Sequence, residues 1–398
     1  MTDTAPAGRT YAGPAVFSFG FRPFFLFGAA WAALAVPVWV AGLLLGDGMV
    51  GAAEGRAWHI HEMLFGYLAA VVAGFLLTAV PNWTGRLPVR GAPLAALAGL
   101  WLSGRLGMIV LSGPAAAVVD AAFLVVFAAL VWREVLAGRN LRNLPICLMV
   151  SLLAAANLAF HLRDAVPEAG PLAERGAVAV IALMIALVGG RIIPSFTRNW
   201  MAARRLAPEP AAFGMADRAA LAATAVALAA WTQAPEHPGA GWALLAAGLV
   251  NLVRLARWRG WRTLADPMVW ILHAGYAWLA AGLALLGASI LAPDAIARSA
   301  GVHALTAGAM GVMTLAVMTR ATLGHTGRAR EADGWTLAIY LAVNAAALVR
   351  VAAPFLPELT PHLLGCSAAL WSLAFGLFAL RYGPMLLGPR AVLRGHDT

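Results

Sequence analysis

Twelve stretches of about twenty apolar residues follow one another along this chain, with few polar residues between their ends. A helix needs about 20 apolar residues to cross the hydrocarbon layer of a membrane, so each stretch predicts a spanning helix. Only 12% of the residues are charged, whereas a soluble domain has about 25%. The sequence therefore predicts an all-α, polytopic membrane protein. The predicted spans are 24–46, 58–80, 92–112, 114–132, 144–162, 174–194, 217–234, 239–256, 266–290, 299–321, 335–353 and 362–386.

No segment between these spans is long enough to form an extramembrane domain. The longest polar connection runs from about Ser195 to Asp217. We therefore expect residues 1–398 to form a single integral membrane domain, with a short segment at 1–22 and a tail at 387–398 outside the bilayer. The first residues lack the charged-then-apolar layout of a signal peptide, which predicts that the first span is retained.

The basic residues, all 28 of which are arginines, are distributed unevenly along the chain. The connections after the even-numbered spans carry runs such as Arg204-Arg205, whereas the opposite connections hold only four arginines, mixed with acids. These four are Arg56, Arg163, Arg175 and Arg298. The positive-inside rule then predicts that both termini are cytoplasmic. The net charge of +10 is explained by this topology and by anionic lipid, so we expect no nucleic acid partner.

A short internal repeat relates span 2 to span 10. His61 is followed 23 to 25 residues later by Thr84-Gly85-Arg86, and His303 is followed at the same offsets by Thr326-Gly327-Arg328. Span 6, four spans from each, ends in a related polar stretch at 194–199 but has no histidine at its start. This spacing predicts three pseudo-repeats of four helices, a pattern common among membrane proteins.

His61 and His303 are the leading candidates for ligands, because each lies about one turn inside an apolar span. Histidine is a frequent ligand of transition metals and of haem iron. Met310 lies seven residues after His303, on the same helix face, and a thioether suits copper or haem. The alternatives are a neutral imidazole bonded to a backbone carbonyl and a methionine that fills a packing gap. For His161, at the end of span 5, we favour a structural role.

His59 and Glu62 flank His61 but have different orientations. Residues i and i+2 of an α-helix lie about 200° apart, so His59 and His61 are predicted to serve different metal centres. Glu62 lies three residues after His59 and therefore on its face. It is predicted to orient an imidazole or to move protons. The alternative is an interfacial acid that only starts the helix.

Three further charged or titratable residues lie within predicted spans. His273 lies about 10 Å inside span 9 from the cytoplasmic end, so we expect it to ligate a separate metal centre or to bond a buried polar group. Arg105 and Arg350 lie in spans 3 and 11, where an arginine needs an anionic partner. Haem propionates are the predicted partner, and for Arg350 the alternative is an arginine that extends to the lipid headgroups.

Together these motifs resemble the NnrS family of bacterial membrane proteins over essentially the whole chain. The motifs are Gly20-Phe21-Arg22-Pro23-Phe24-Phe25, Trp58-His59-Ile60-His61-Glu62-Met63-Leu64-Phe65-Gly66, Pro194-Ser195-Phe196-Thr197, Leu272-His273-Ala274-Gly275-Tyr276 and Gly324-His325-Thr326-Gly327-Arg328. The resemblance implies a twelve-span protein of the bacterial inner membrane that holds haem and copper and serves the response to nitric oxide. The repeat is also similar to the haem–copper oxidase architecture, although fold alone does not carry function.

We therefore expect a membrane protein with non-covalent haem b and copper that reduces nitric oxide to nitrous oxide. His61 and His303 are the predicted ligands of haem iron or of the facing copper, and Glu62 is predicted to move protons. The chain has no CxxCH motif for covalent haem, so electrons would come from a quinol or a periplasmic carrier. A haem/copper protein that binds or senses nitric oxide without turnover is one alternative. A secondary transporter is the other, since twelve spans and internal repeats also suit that class.

Overall fold

The computed structural model describes residues 11–45 and 55–391, and twelve long helices account for most of them. We label these helices α1 to α12. Their bounds are Phe21–Leu45, Gly55–Thr84, Ala92–Val110, Gly113–Ala137, Leu144–His161, Ala169–Ala203, Met215–Gln233, Pro238–Arg257, Pro267–Leu291, Arg298–His325, Gly334–Ala352 and Thr360–Leu387. Eleven of them are long and apolar enough to cross a membrane, whereas the alanine-rich α7 carries Asp217 and Arg218 near its start and falls short. This architecture confirms the predicted all-α polytopic class.

Several helices begin where the sequence supplies proline in the first turn. Proline lacks an N–H, and the first N–H groups of a helix have no partner within the helix. Six helices use this arrangement, namely α3, α4, α5, α8, α9 and α12. Two helices have an acidic cap: Asp266 accepts a hydrogen bond from the Met268 amide at the start of α9, which also has the proline, and Asp333 accepts one from the Thr336 amide before α11.

Consecutive helices contact one another around the bundle, and α12 packs along α1 to close the ring. α2, α6 and α10 are the most enclosed helices, with 78%, 67% and 67% of their apolar windows buried, against 33–50% for the other eight spans. These three central helices are separated by four positions in the helix order. Their placement agrees with the predicted spacing of three four-helix units.

An apolar cleft separates the three central helices midway along their length. α2 contributes Leu68 to Phe75, α6 contributes Ile181 to Ile192, and α10 contributes Met310 to Val317. The cleft encloses about 570 Å³ of empty space, some of it open to the exterior. Thr314 is the one hydroxyl-bearing residue of the lining, and its hydroxyl bonds to that of Tyr67, which joins α10 to α2.

The backbone of α2 and α10 repeats the correspondence that the sequence indicates. A seven-residue π-helical segment follows His61 in α2, at Glu62–Leu68, and another follows His303 in α10, at Ala304–Met310. Near the ends of the two helices, Gly85 and Gly327 both adopt φ near +70°, at 69° and 74°. Such a left-handed residue terminates a helix at low cost only as glycine. Within helices, π-helical segments are often found at functional sites.

The predicted end of span 6 differs from the structure. α6 continues to Ala203, so the polar connection predicted to begin at Ser195 starts nine residues later, at Arg204. The extension is stabilised locally, because the Thr197 hydroxyl donates to the carbonyl of Ile193. The predicted terminal segments 1–22 and 387–398 lie partly outside the described residues.

Candidate functional site

Six polar side chains from α2, α3, α4 and α5 meet inside the bundle, near the end at which α2 begins. We call this group the His61 network. Its members are His61, Glu62, Arg105, Asp120, Asn157 and His161. All except His161 are fully buried. Burying two carboxylates and a guanidinium inside a membrane protein is costly unless the charges pair and every donor is used, so their arrangement is informative.

Both ring nitrogens of His61 contact other members of the network. Nδ1 lies 2.9 Å from Glu62 Oε1, and Nε2 lies 3.0 Å from Asp120 Oδ2 and 3.1 Å from Asn157 Oδ1. The same Asp120 Oδ2 is 2.9 Å from Nε2 of His161 and accepts a hydrogen bond from Asn157 Nδ2 at 2.9 Å. Two imidazole nitrogens therefore converge on one carboxylate oxygen.

Arg105 holds the two carboxylates of the network in place. Its Nη1 donates to Glu62 Oε2 at 2.8 Å, and its Nη2 donates to Asp120 Oδ1. Trp31 of α1 also donates to Glu62 Oε2, at 2.7 Å. Gly66 leaves the space that the guanidinium fills, since a Cβ there would lie 2.4 Å from Arg105 Nη1. The network therefore depends on a glycine within the π-helical segment of α2.

A second group, which we call the His303 cluster, lies at the same end of the bundle and consists of His59, His303 and Arg350. The two imidazoles come from different central helices, α2 and α10, and they and Arg350 are near enough for their charges to interact. The His59 ring stacks on Trp39 with 4.1 Å between ring centroids, and its buried Nδ1 has no hydrogen-bond partner. The Nδ1 of His303 donates to the Ser299 carbonyl at 2.7 Å, which leaves Nε2 as the available ligand atom.

Arg350 makes no hydrogen bond or ion pair with any residue in the described part of the chain. Neither α10 nor α12, on the two sides of α11, contains an aspartate or glutamate. The neighbouring Arg56 is itself paired with Glu174, with 2.8 Å between Nη2 and Oε2. The His303 cluster thus combines two imidazoles with a cation whose charge no described side chain balances.

The His303 cluster has the donor chemistry that haem and copper require. An unpartnered buried nitrogen on His59 and a free Nε2 on His303 are ligand atoms for either metal. A hydrogen bond from the remaining ring nitrogen of a ligating histidine to a carbonyl, such as that of Ser299, is the usual way in which the ring is oriented. The unbalanced guanidinium suits a carboxylate such as a haem propionate.

The structure separates the predicted ligands into groups that the sequence does not indicate. His61 and His303 occupy equivalent positions on α2 and α10 but lie in different groups, and Glu62 contacts His61 rather than His59. His273 lies at the other end of the bundle, where its Nε2 is 2.8 Å from the Thr197 hydroxyl. Met310 ends the π-helical segment of α10 and lines the apolar cleft.

Arg105 is paired with two acids, and three members of its network were not among the predicted site residues. Asp120, Asn157 and His161 come from α4 and α5, outside the motif that begins α2. What these residues share in the sequence is their predicted depth in the membrane. The predicted topology places each of these polar residues toward the same membrane face as His61. A comparison of polar residues by depth would have grouped them.

Taken together, the observations define a polytopic helical membrane protein with two groups of candidate metal ligands. A family model described as "NnrS protein" matches residues 15–390, nearly the whole chain. The chain therefore belongs to the NnrS family, membrane proteins related to the nitric oxide response and associated with haem and copper. A search among curated proteins finds no match.

Proposed function

We propose that this protein holds haem and copper at the His303 cluster and reduces nitric oxide to nitrous oxide. The observation that carries the proposal is that His59 and His303, on two central helices, each keep a ring nitrogen available at the end of the bundle that also holds the unbalanced charge of Arg350. Family membership supports nitric oxide as the molecule on which the protein acts. We further propose that the protein resides in the bacterial inner membrane with both termini cytoplasmic, as its arginine distribution favours.

In this assignment each member of the His303 cluster has one role. His303 ligates haem iron through Nε2, because its Nδ1 is held by the Ser299 carbonyl. His59 ligates copper through Nδ1, which is buried and has no other partner. Arg350 pairs with a haem propionate. His61, His273 and Met310 take no part in this cluster, because His61 lies in the separate His61 network and the other two lie elsewhere.

The overall reaction is 2 NO + 2 e⁻ + 2 H⁺ → N₂O + H₂O. When bound, haem iron and copper would bind nitric oxide and transfer electrons to it. The electrons would come from a quinol or a periplasmic carrier protein. Glu62 supplies protons: it is the one acidic residue of α2 and lies about one helical turn from His59. The carboxylate is shielded from bulk water and is oriented by Trp31 and Arg105.

The apolar cleft between α2, α6 and α10 gives nitric oxide a route that does not require a polar channel. Its walls are aliphatic, aromatic and thioether side chains together with Thr314. Nitric oxide is small, uncharged and soluble in lipid, so it reaches such a cleft from the bilayer. Water and ions are disfavoured there because the walls offer them few hydrogen-bond partners.

The test is turnover by the purified, haem-loaded protein. With a chemical electron donor, we expect the wild type to produce nitrous oxide, detected by gas chromatography, and His303→Ala to lose both the haem absorption band and the product. His362→Ala is the matched control, because that histidine is exposed near the start of α12. It should leave both measurements unchanged.

Two results would contradict the proposal and favour a different class. A reduced wild type that binds nitric oxide but yields no nitrous oxide would indicate a sensor or scavenger. A colourless wild type without haem or copper after purification from its native membrane would instead favour a transporter.

A further inference from the structure

The His61 network contains a second set of converging ligand atoms, separate from the His303 cluster. We propose that His61, Asp120 and His161 bind a divalent first-row transition metal of the ferrous-iron class. The ligand atoms are the two Nε2 atoms and Asp120 Oδ2, which all lie within 4.8 Å of one another. The proposal does not depend on haem or copper at the His303 cluster.

The separations between these atoms match those of ligands around one ion. Nitrogen and oxygen ligands lie about 2.0–2.2 Å from such a metal, so two ligands at right angles are about 3 Å apart. Asp120 Oδ2 is 3.0 Å from His61 Nε2 and 2.9 Å from His161 Nε2. The two imidazole rings lie edge to face, with 5.2 Å between centroids, and the Nε2 atoms of both contact the same oxygen, Asp120 Oδ2.

The remaining polar atoms of two ligands are held by charged partners. His61 Nδ1 lies 2.9 Å from Glu62 Oε1, to which it can donate, and Asp120 Oδ1 accepts from Arg105. A carboxylate that receives the second N–H of a ligating histidine fixes the tautomer in which Nε2 carries the lone pair. His61 Nε2 and Asp120 Oδ2 are therefore the atoms left to face His161.

Each buried polar side-chain atom of this group except Arg105 Nε has a hydrogen-bond partner, but some of these bonds must share one donor or one acceptor. Asp120 Oδ2 has three nitrogens around it, from His61, Asn157 and His161. The single hydrogen that His61 Nε2 can carry would have to serve both Asp120 Oδ2 and Asn157 Oδ1, which are 3.0 and 3.1 Å away. A metal ion accepts all of these lone pairs, and Asn157 Oδ1 would then provide a fourth ligand.

Charge and donor type indicate which ion fits. With neutral imidazoles, as ligation requires, Glu62 and Asp120 contribute two negative charges and Arg105 one positive charge, so a bound cation takes the place of a proton on His61. Two imidazoles and one carboxylate form the ligand set of mononuclear ferrous sites. None of the ligands carries sulfur, which Cu(I) prefers, so the ligand set favours a divalent ion.

Access to the site is available through His161. This residue ends α5 and its side chain is 8% exposed, whereas the other two ligands are fully buried. An ion can thus enter from the end of the bundle without separating α2 from α4.

The first experiment measures metal content in the detergent-purified full chain after growth with ample iron, manganese and zinc. We expect about one divalent ion per chain beyond haem iron and copper. His161→Ala should lose that ion while haem and copper stay at wild-type levels. Asp217→Asn is the matched control, since it changes a buried carboxylate paired with Arg254 that has no imidazole partner. A wild type without the extra ion, or an unchanged content in His161→Ala, would overturn the proposal.

The second experiment measures metal binding to the wild-type protein directly. Chelator-treated wild-type protein is titrated with Co²⁺, whose visible absorption reports nitrogen and oxygen ligands. We expect saturable binding of one ion, displaced by Zn²⁺, and at least tenfold weaker binding in Glu62→Gln, which removes the carboxylate that orients His61. Absence of saturable binding, or binding that Glu62→Gln does not weaken, would contradict the proposed site.

Discussion

The first and third four-helix units, α1–α4 and α9–α12, have similar backbone features but different charged residues. In both units the second helix has a histidine followed by a π-helical segment with a glycine in it, at Gly66 or Gly308. In both units the third helix carries an arginine toward its C-terminal end, at Arg105 or Arg350. The shared geometry supports the repeat, and the differences lie in what surrounds these residues.

The difference is the presence of acids in the first unit. Glu62 directly follows His61, whereas Ala304 directly follows His303. Asp120 lies on α4, whereas α12 contains no acidic residue. Arg105 is consequently neutralised within the protein and Arg350 is not. A duplicated backbone can thus present one internally balanced polar network and one cluster that needs an external anion.

The largest expected effect on stability is that of replacing Arg105, and it should far exceed the effect of replacing Arg350. Arg105→Met leaves Glu62 and Asp120 buried without their cation, which costs about 3–5 kcal/mol of stability. Arg350→Met leaves no acid unpaired among the described residues, so it should lower the stability by less than about 1 kcal/mol. Thermal unfolding of both variants in detergent measures the difference.

Haem content is the control for this pair. Arg350→Met should retain the fold but bind haem more weakly, because a propionate loses its partner. Equal destabilisation by the two substitutions would show that Arg350 also has an acidic partner, and the contrast between the units would fail.

The fold was predictable to the extent that it depends on hydrophobic length and on spacing. The apolar stretches predict all twelve helices, and eleven of these helices are long and apolar enough to cross a membrane. The Thr-Gly-Arg repeat indicated the correspondence of α2 and α10, since a left-handed glycine recurs where each helix terminates. The π-helical segments could not be predicted, because they depend on packing among neighbouring helices rather than on a local residue pattern.

The second prediction concerns protons in the first unit. Glu62→Gln keeps the shape of the side chain but removes its acidic proton, so nitrous oxide production should fall about 100-fold or more. Haem and copper content should not change, because Glu62 contacts neither His59 nor His303 among its hydrogen bonds. Turnover at the wild-type rate would show that protons arrive by another route.

The composition of the two histidine groups was harder to predict than the fold. Helical spacing correctly separated His59 from His61, since they lie on opposite faces. The partners of each histidine come from other helices: His61 contacts Asp120 and His161, whereas His59 stacks on Trp39. A single sequence gives the depth of a residue within a span but not the rotation of that span about its own axis.

The third prediction compares equivalent glycines in the two π-helical segments. A methyl group at Gly66 would lie 2.4 Å from Arg105 Nη1 and 2.9 Å from Glu62 Oε2, whereas at Gly308 it would lie 2.6 Å from the Trp278 ring. Both alanine variants should lose about 1–3 kcal/mol from overpacking. Only Gly66→Ala should also weaken Co²⁺ binding, because it displaces the arginine that orients Asp120. Weaker binding in Gly308→Ala as well would indicate a general loosening of the bundle.

The smallest expected effect on stability concerns the N-terminal caps of the two equivalent third helices, α3 and α11. α11 is capped by Asp333, whose carboxylate accepts from Thr336 and Arg381, whereas α3 begins at Gly91 without a side-chain cap. Burial raises the pKa of Asp333, but the bonds from Thr336 and Arg381 outweigh it and hold that pKa below its usual value. The ionised cap therefore stabilises the protein at neutral pH, and this contribution is lost as the pH falls through the lowered pKa.

Asp333→Ala should cost about 1 kcal/mol at pH 7 in unfolding experiments. The difference from the wild type should shrink in acid, and a difference independent of pH would show that the carboxylate charge contributes nothing to the cap.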